Sequence, residues 1–258
     1  MSASHHNPRY AESFPQKPVS DKPGLRKRPK DAASLLLIDR SQSQPRVLMG
    51  RRNAKLAFMP GKYVFPGGRT DLQDGSIAAA SELLETDQNK LLASMGSRPS
   101  VRRARALGLC AIRETFEETG LRLSTPARID DSNVSDHNHP DWGEFLKSGD
   151  LPHLSKLRYF ARAITPPHHV RRFDTRFFMA FRDTLPDLHI QQLKPSGELE
   201  DLSWITFNQA LELDILEITE SILKHAQVLL DDNRSSLPAS IPVVQYSPRY
   251  GRYLREVI

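Results

Sequence analysis

The chain has 258 residues, 26% of them charged, a formal net charge of +5 and a single cysteine. No apolar run approaches the roughly 18 residues a membrane span requires, and the start of the chain shows no secretory apolar segment. One thiol cannot close an internal disulfide, so the composition excludes a disulfide scaffold and predicts one good-sized core in a reducing, cytoplasmic setting.

In chain order, residues 1–30 come first. They hold Arg9, Lys17, Lys22, Arg26, Lys27, Arg28 and Lys30 against Glu12 and Asp21, a net of +5. The remainder holds 29 basic and 29 acidic residues, so the excess belongs to this Pro- and Lys-rich tail, which is expected to be disordered. A basic excess confined to a tail argues against a nucleic-acid-binding domain. Ala32–Ile38 then reads as a buried strand and Arg46–Gly50 as a second, joined by a polar hairpin. Phe58–Gly68 is rich in Pro and Gly. A helix is predicted over Ser76–Met95, a break at Gly96–Ser100, and the main helix over Val101–Thr119, with Leu109, Ile112 and Phe116 on its apolar face and Gly120 as its C-cap. A short helix is expected around Trp142–Lys147, and strands over Arg158–Ile164, Phe173–Phe181 and Leu199–Ile205. Asn208–Asp231 supplies one or two closing helices, and residues 234–258 an extended arm that packs on the domain or on a second copy, which leaves a homodimer open. Strands and helices mix without strict alternation, which predicts an α+β layering of sheet against helices.

The end of the main helix breaks a local rule. Arg113-Glu114-Thr115-Phe116-Glu117-Glu118-Thr119-Gly120-Leu121 places three carboxylates within an arc of roughly 100°. Like charges at these spacings repel, and a helix C-terminus carries partial negative charge of its own. Arg113 can pair with Glu117 one turn on, leaving two charges to be compensated. A divalent cation is the natural compensation, since Mg²⁺ and Mn²⁺ take oxygen ligands.

With Phe65-Pro66-Gly67-Gly68 upstream, this segment resembles the Nudix hydrolase signature, G-x5-E-x7-R-E-U-x-E-E-x-G-U, where U is aliphatic. Gly68, Arg113, Glu114, Glu117, Glu118, Gly120 and Leu121 match it residue by residue, while Thr115 stands where an aliphatic residue is usual. The box is also interrupted: Asp74 follows Gly68 after five intervening residues, where the first Glu belongs, but the position eight before Arg113 is Arg105, an insertion of about 31 residues. Asp74, Asp71, Glu82 and Glu85 all remain candidates for the first box carboxylate. Gly61-x3-Phe-Pro-Gly-Gly and Arg172-Phe173-Asp174-Thr175-Arg176-Phe177-Phe178 are similar to the branch that contains acyl-coenzyme A diphosphatases.

This resemblance implies a Nudix-type mixed β-sheet sandwiched between helices, a domain over residues 31–233, a helical insertion over 75–104 and a C-terminal helical or extended arm. It implies Mg²⁺ or Mn²⁺ held by Glu114, Glu117, Glu118 and the Gly68 carbonyl, with Arg113 holding a glutamate by bidentate pairing. The substrate would be a nucleotide derivative with a diphosphate, coenzyme A or acyl-coenzyme A first, with ADP-ribose, NADH or a dinucleoside polyphosphate as alternatives. A Nudix-fold module that binds a nucleotide without cleaving it is the non-enzymatic alternative. Glu198 and Glu200, alternating onto one strand face before Trp204, are candidates for the general base, with Glu117 the box residue nearest that role. Arg51, Arg52, Arg172 and Arg176 are candidates to grip phosphates. His137, His139, His153, His168 and His169 have no cysteine partners, which argues against zinc.

Overall fold

The computed structural model describes residues 13–15, 28–96, 98–126, 140–147, 149–167, 169, 171–184, 191–233, 237–249 and 252–258. Its centre is β2 (Lys30–Asp39), whose side chains from Ala32 on are buried on both faces. Alternation divides them. Ala33, Leu35 and Leu37 join the core under one helical layer, and Leu36 and Ile38 the core under the other. Each such side chain taken fully out of water contributes about 1.5–3 kcal/mol. β2 pairs in parallel with β9 (Phe173–Phe181) and antiparallel with β3 (Arg46–Arg52). β8 (Arg158–Ile164) lies outside β9, and β10 (Leu199–Thr206) outside β3. Short β4 (Tyr63–Val64) and β5 (Gly67–Arg69) attach to β3 and β2.

One face is covered by α1 (Glu85–Ala93), α2 (Val101–Thr119) and α3 (Pro140–Leu146), which pack their apolar residues into one core. The opposite face is covered by α4 (Phe207–Glu212) and α5 (Glu217–Asp232). A two-stranded ribbon, β6 (Ser124–Pro126) with β7 (Asp150–Pro152), stands apart. This is the expected mixed sheet between helices. Among the described residues no helix is long and apolar enough to cross a membrane.

Three segments differ from expectation. The helix expected over Ser76–Met95 is confined to α1. Ahead of it the Ala80 N–H donates to the Pro152 carbonyl at 2.9 Å and Ser81 bridges to His153, so tertiary bonding overrides local helix preference. The C-terminal arm is part of the sheet: β11 (Val244–Arg249) adds in parallel to β8 and turns into β12 (Arg252–Val257). Within the tail expected to lack structure, β1 (Ser13–Pro15) pairs with β12. The rest of that tail up to residue 27 lies outside the described residues, as do His137, His139 and His168.

The insertion and the arm are fastened together. Arg158 Nε donates to the buried Asp87 of α1 at 2.9 Å, while its Nη2 donates to the carbonyls of Pro238 and Ala239. The Thr86 hydroxyl donates to the Ala239 carbonyl at 3.0 Å.

Candidate active site

α2 spans the residues the sequence assigned to it. The Ser100 side chain accepts the Arg103 N–H at its start, and Gly120 ends it at φ 75°, with its N–H on the Phe116 carbonyl. Thr115, the departure from the aliphatic pattern, is fully buried, and its hydroxyl donates to the Ala111 carbonyl at 2.7 Å. Such a bond back along the helix lets a threonine occupy an apolar position.

The last turn of α2 lies against the double-glycine strand β5. The Gly67 N–H donates to Glu118 Oε2 at 2.9 Å. A methyl group on Gly68 would lie 2.4 Å from the Glu114 carboxylate, so the missing side chain is the space that carboxylate fills. The Gly68 carbonyl accepts the Cys110 thiol at 3.6 Å, one helical turn before Glu114. Cys110 is fully buried, and burial pushes its thiol well up, which suits packing and orientation rather than nucleophilic attack. Gly68→Ala is therefore expected to fold normally while displacing the flexible Glu114 carboxylate. Divalent-cation affinity measured by calorimetry should fall about 10–100-fold, the usual cost of disturbing ligand support.

Arg113 organises the cluster. Its Nε donates to Asp74 Oδ1 at 2.9 Å and its Nη2 to Asp74 Oδ2 at 3.2 Å, with Asp74 fully buried. Nη1 meets Glu114 Oε1 at 2.9 Å and Glu117 Oε1 at 2.8 Å. Nη2 also donates to the Arg69 carbonyl at 3.0 Å. Burial alone would lower the guanidinium, but its bond to Asp74 and the surrounding acids hold it above its ordinary value.

Asp74 also accepts the Trp142 indole N–H at 3.0 Å and the Asp71 N–H at 2.8 Å. Both its oxygens are committed to protein donors, and they anchor the Arg113 guanidinium. Of the other candidates, Glu82 accepts from Arg105 at 2.9 Å, Glu85 is exposed on α1, and Asp71 accepts the Gln73 N–H.

A cavity of about 540 Å³ opens beside these residues, with Glu114, Glu117, Glu118 and Glu198 in its lining. Burial comes first in raising Glu118 to about 8, with repulsion from Glu114 and Glu198 adding and the Gly67 N–H and Arg52 opposing. Burial likewise raises Glu114 to about 7, with Glu117 adding and Arg113 opposing. Two carboxylates held this far up are strained for want of positive charge. Among the described residues no three His, Cys, Asp or Glu side chains close on a common point as they stand; Arg113 bonds Glu114 and Glu117, and the Gly67 N–H bonds Glu118.

The base candidates part company. Glu198 is exposed on the cavity wall, whereas Glu200 accepts from Asn53 Nδ2 at 2.8 Å and pairs with Arg51 at 3.5 Å. The phosphate-gripping arginines need correction. Arg176 is fully buried under the sheet, its Nη1 on Asp31 at 2.9 Å and Asp174 at 3.0 Å, and cannot reach a ligand in the cavity. Arg172 precedes β9 and donates to the Thr165 carbonyl, and Arg51 is tied to Asp201 at 2.7 Å. Arg52, anchored on the Phe58 carbonyl at 3.0 Å, is near enough to act on Glu118. Sequence reasoning missed Arg122, Glu144, Lys194 and Ser196, which complete the cavity wall. Arg122 carried a signal, standing directly after the box. Lys194 sits in an irregular segment whose spacing carries none. A second cavity of about 430 Å³, between residues 40–45 and α4 and α5, holds no such carboxylate cluster.

A mixed sheet between helical layers, with an Arg-Glu-x-x-Glu-Glu helix closing on a double-glycine strand, defines a Nudix-type domain. The model of the NUDT19 Nudix domain matches residues 27–218, and the chain belongs to that family. It is 26% identical over 217 residues to acyl-coenzyme A diphosphatase NUDT19 of Xenopus laevis, covering 64% of this chain and 54% of that protein. It is 28% identical over 188 residues to putative nudix hydrolase 7 of Caenorhabditis elegans, covering 68% and 51%. The chain thus spans about half the length of the curated relatives it matches. The crystal structure of a NUDIX hydrolase from Alicyclobacillus acidocaldarius superposes with a TM-score of 0.55 at 25% identity, over 78% of this chain and 91% of that one.

Proposed function

We propose that this domain hydrolyses a diphosphate linkage in a nucleoside diphosphate derivative with the aid of Mg²⁺ or Mn²⁺. We further propose coenzyme A or acyl-coenzyme A as the substrate, giving 3′,5′-ADP and (acyl-)phosphopantetheine. The observation that carries the reaction class is the meeting of Glu114 and Glu118, which line the cavity, with the double-glycine turn of Gly67 and Gly68. The substrate choice is supported by the relatives whose names say acyl-coenzyme A diphosphatase.

The donor set is carboxylate and carbonyl oxygen without thiolate or imidazole, which suits a hard divalent cation. The carboxylates raised to about 7 and 8 fit such a guest, since a cation removes the repulsion and desolvation that raised them. Glu114, Glu117, Glu118 and the Gly68 carbonyl would hold it. A bound Mg²⁺ or Mn²⁺ neutralises phosphate charge and makes water more acidic. Glu198 accepts the proton of the attacking water as the water oxygen bonds to phosphorus. The bond from that phosphorus to the bridging oxygen breaks, and the bridging oxygen leaves on the other phosphate. Arg113 keeps Glu114 and Glu117 in register through its anchor on Asp74.

The experiment is a hydrolysis screen with Mg²⁺ or Mn²⁺ over coenzyme A, acetyl-coenzyme A, ADP-ribose, NADH and a diadenosine polyphosphate, with product masses read out. Coenzyme A and acyl-coenzyme A should give 3′,5′-ADP. Cleavage of ADP-ribose or NADH alone would replace the substrate and keep the reaction; an untouched panel would reject both.

A further inference from the structure

We propose that Arg122 and Lys194 form the grip for the substrate's diphosphate, on the wall of the cavity that the glutamates also line. This deepens the reading above and rests on it for the reaction. A phosphate entering a cavity lined by Glu114, Glu117, Glu118 and Glu198 meets repulsion from these carboxylates. Arg122 and Lys194 are the cations among the described lining residues, and neither is ion-paired to a carboxylate among those residues. Glu144, also in the lining, is ion-paired with Lys147 at 2.5 Å, and Arg122 and Lys194 act on it more weakly through space.

Arg122 is set in place before any ligand arrives. Its guanidinium carbon lies 4.7 Å from the centroid of the Phe116 ring, and its Nη2 donates to the Glu144 carbonyl at 3.2 Å. Its backbone N–H donates to Gln191 Oε1 at 2.7 Å, which fastens the irregular segment leaving α2 to the segment carrying Lys194. The Lys194 N–H donates to the Thr119 carbonyl at 2.8 Å, and a methyl group on Gly120 would lie 2.9 Å from Lys194 Cβ. Gly120 thus ends the helix and admits the lysine stem at the same point. The ammonium extends from there as a flexible point charge, while the stacked guanidinium offers a fixed fork. A rigid fork beside a flexible charge suits two adjacent phosphates, one held in orientation and one followed as it departs.

Two of the arginines expected to do this from the sequence are paired elsewhere. Arg176 pairs with the half-buried Asp31 and Asp174, and Arg51 pairs with Asp201. The grip lies on the segment after the box and the loop before β10, where Arg122 and Lys194 line the cavity.

The test compares wild type with Lys194→Ala, Arg122→Gln and the double variant. Lys194 is exposed, so Lys194→Ala separates the grip from any folding defect of Arg122→Gln. With the substrate found in the screen, each single variant should raise KM about tenfold and leave kcat within about threefold. In parallel, inorganic pyrophosphate with Mg²⁺ is titrated by calorimetry against inorganic phosphate. Wild type should bind pyrophosphate more tightly, the double variant should lose that preference, and Mn²⁺ titrations without anion should coincide. Unchanged KM and unchanged pyrophosphate affinity in Lys194→Ala would overturn the grip, as would a wild type that does not bind pyrophosphate. Pyrophosphate binding that depends on both residues, in a protein that cleaves nothing on the panel, would reject the catalytic reading and leave the grip standing.

Discussion

Glu118→Gln is expected to fold, to lose about 10²–10³-fold in hydrolysis, and to be more stable than wild type at pH 8 without divalent ions. The three effects have one cause. Glu118 is 4% exposed, and burial raises it to about 8. Its folded pKa lies above its unfolded one, so the folded state binds more protons across the interval between about 4.5 and 8. Stability from this group is full below about 4.5 and is lost as pH rises through 8. A glutamine removes that loss, on the order of a few kcal/mol at pH 8, and its side-chain oxygen can still accept the Gly67 N–H. At pH 5 both side chains are neutral in the folded protein, and the melting temperatures should converge. Equal stability of the two proteins at pH 8 would show that Glu118 is not held up by its surroundings.

Asp74→Ala should be the most damaging single substitution in the cluster. It strands a guanidinium that is 5% exposed and leaves the Trp142 indole N–H without its acceptor. Removing one partner of a buried pair costs about 3–5 kcal/mol, read as a fall in the denaturation midpoint. Arg113 then loses the anchor that holds Glu114 and Glu117, so turnover per folded molecule should fall as well. Adding Arg113→Met should recover part of the stability and none of the activity. A double variant no more stable than Asp74→Ala would contradict the pairing.

Much of this was legible in the residues, for identifiable reasons. β2 reads as an apolar run because both its faces are buried, and α2 because its apolar stripe ends at a glycine forced to φ 75°. The acidic cluster stood out because it violates helix electrostatics. The stand-in for the first box carboxylate could not be read by counting, since the insertion breaks the spacing that defines it. What sets Asp74 apart from the other candidates is its bonding to Arg113 and Trp142, which meet it from 39 and 68 residues away. Arg176 misled because its alternating strand pattern looks the same whether a side chain faces solvent or the half-buried Asp31 and Asp174. The helix expected from Ser76 failed because Ala80 and Ser81 bond across to β7 and His153. Lys194 was invisible because its place is set by contact with Gly120, through a loop without periodicity.

The central claim is that a divalent cation sits between Glu114 and Glu118 beside the double-glycine strand. It is tested most directly by titrating Mn²⁺ at pH 6 and pH 8 with calorimetry in buffers of different ionisation enthalpy. Binding should displace protons from carboxylates raised to about 7 and 8, so the affinity should be greater at pH 8 and more protons should be released per ion at pH 6. Both signals should vanish in the Glu114→Gln, Glu118→Gln double variant. Binding that is absent, independent of pH, or undiminished in that variant would contradict the account.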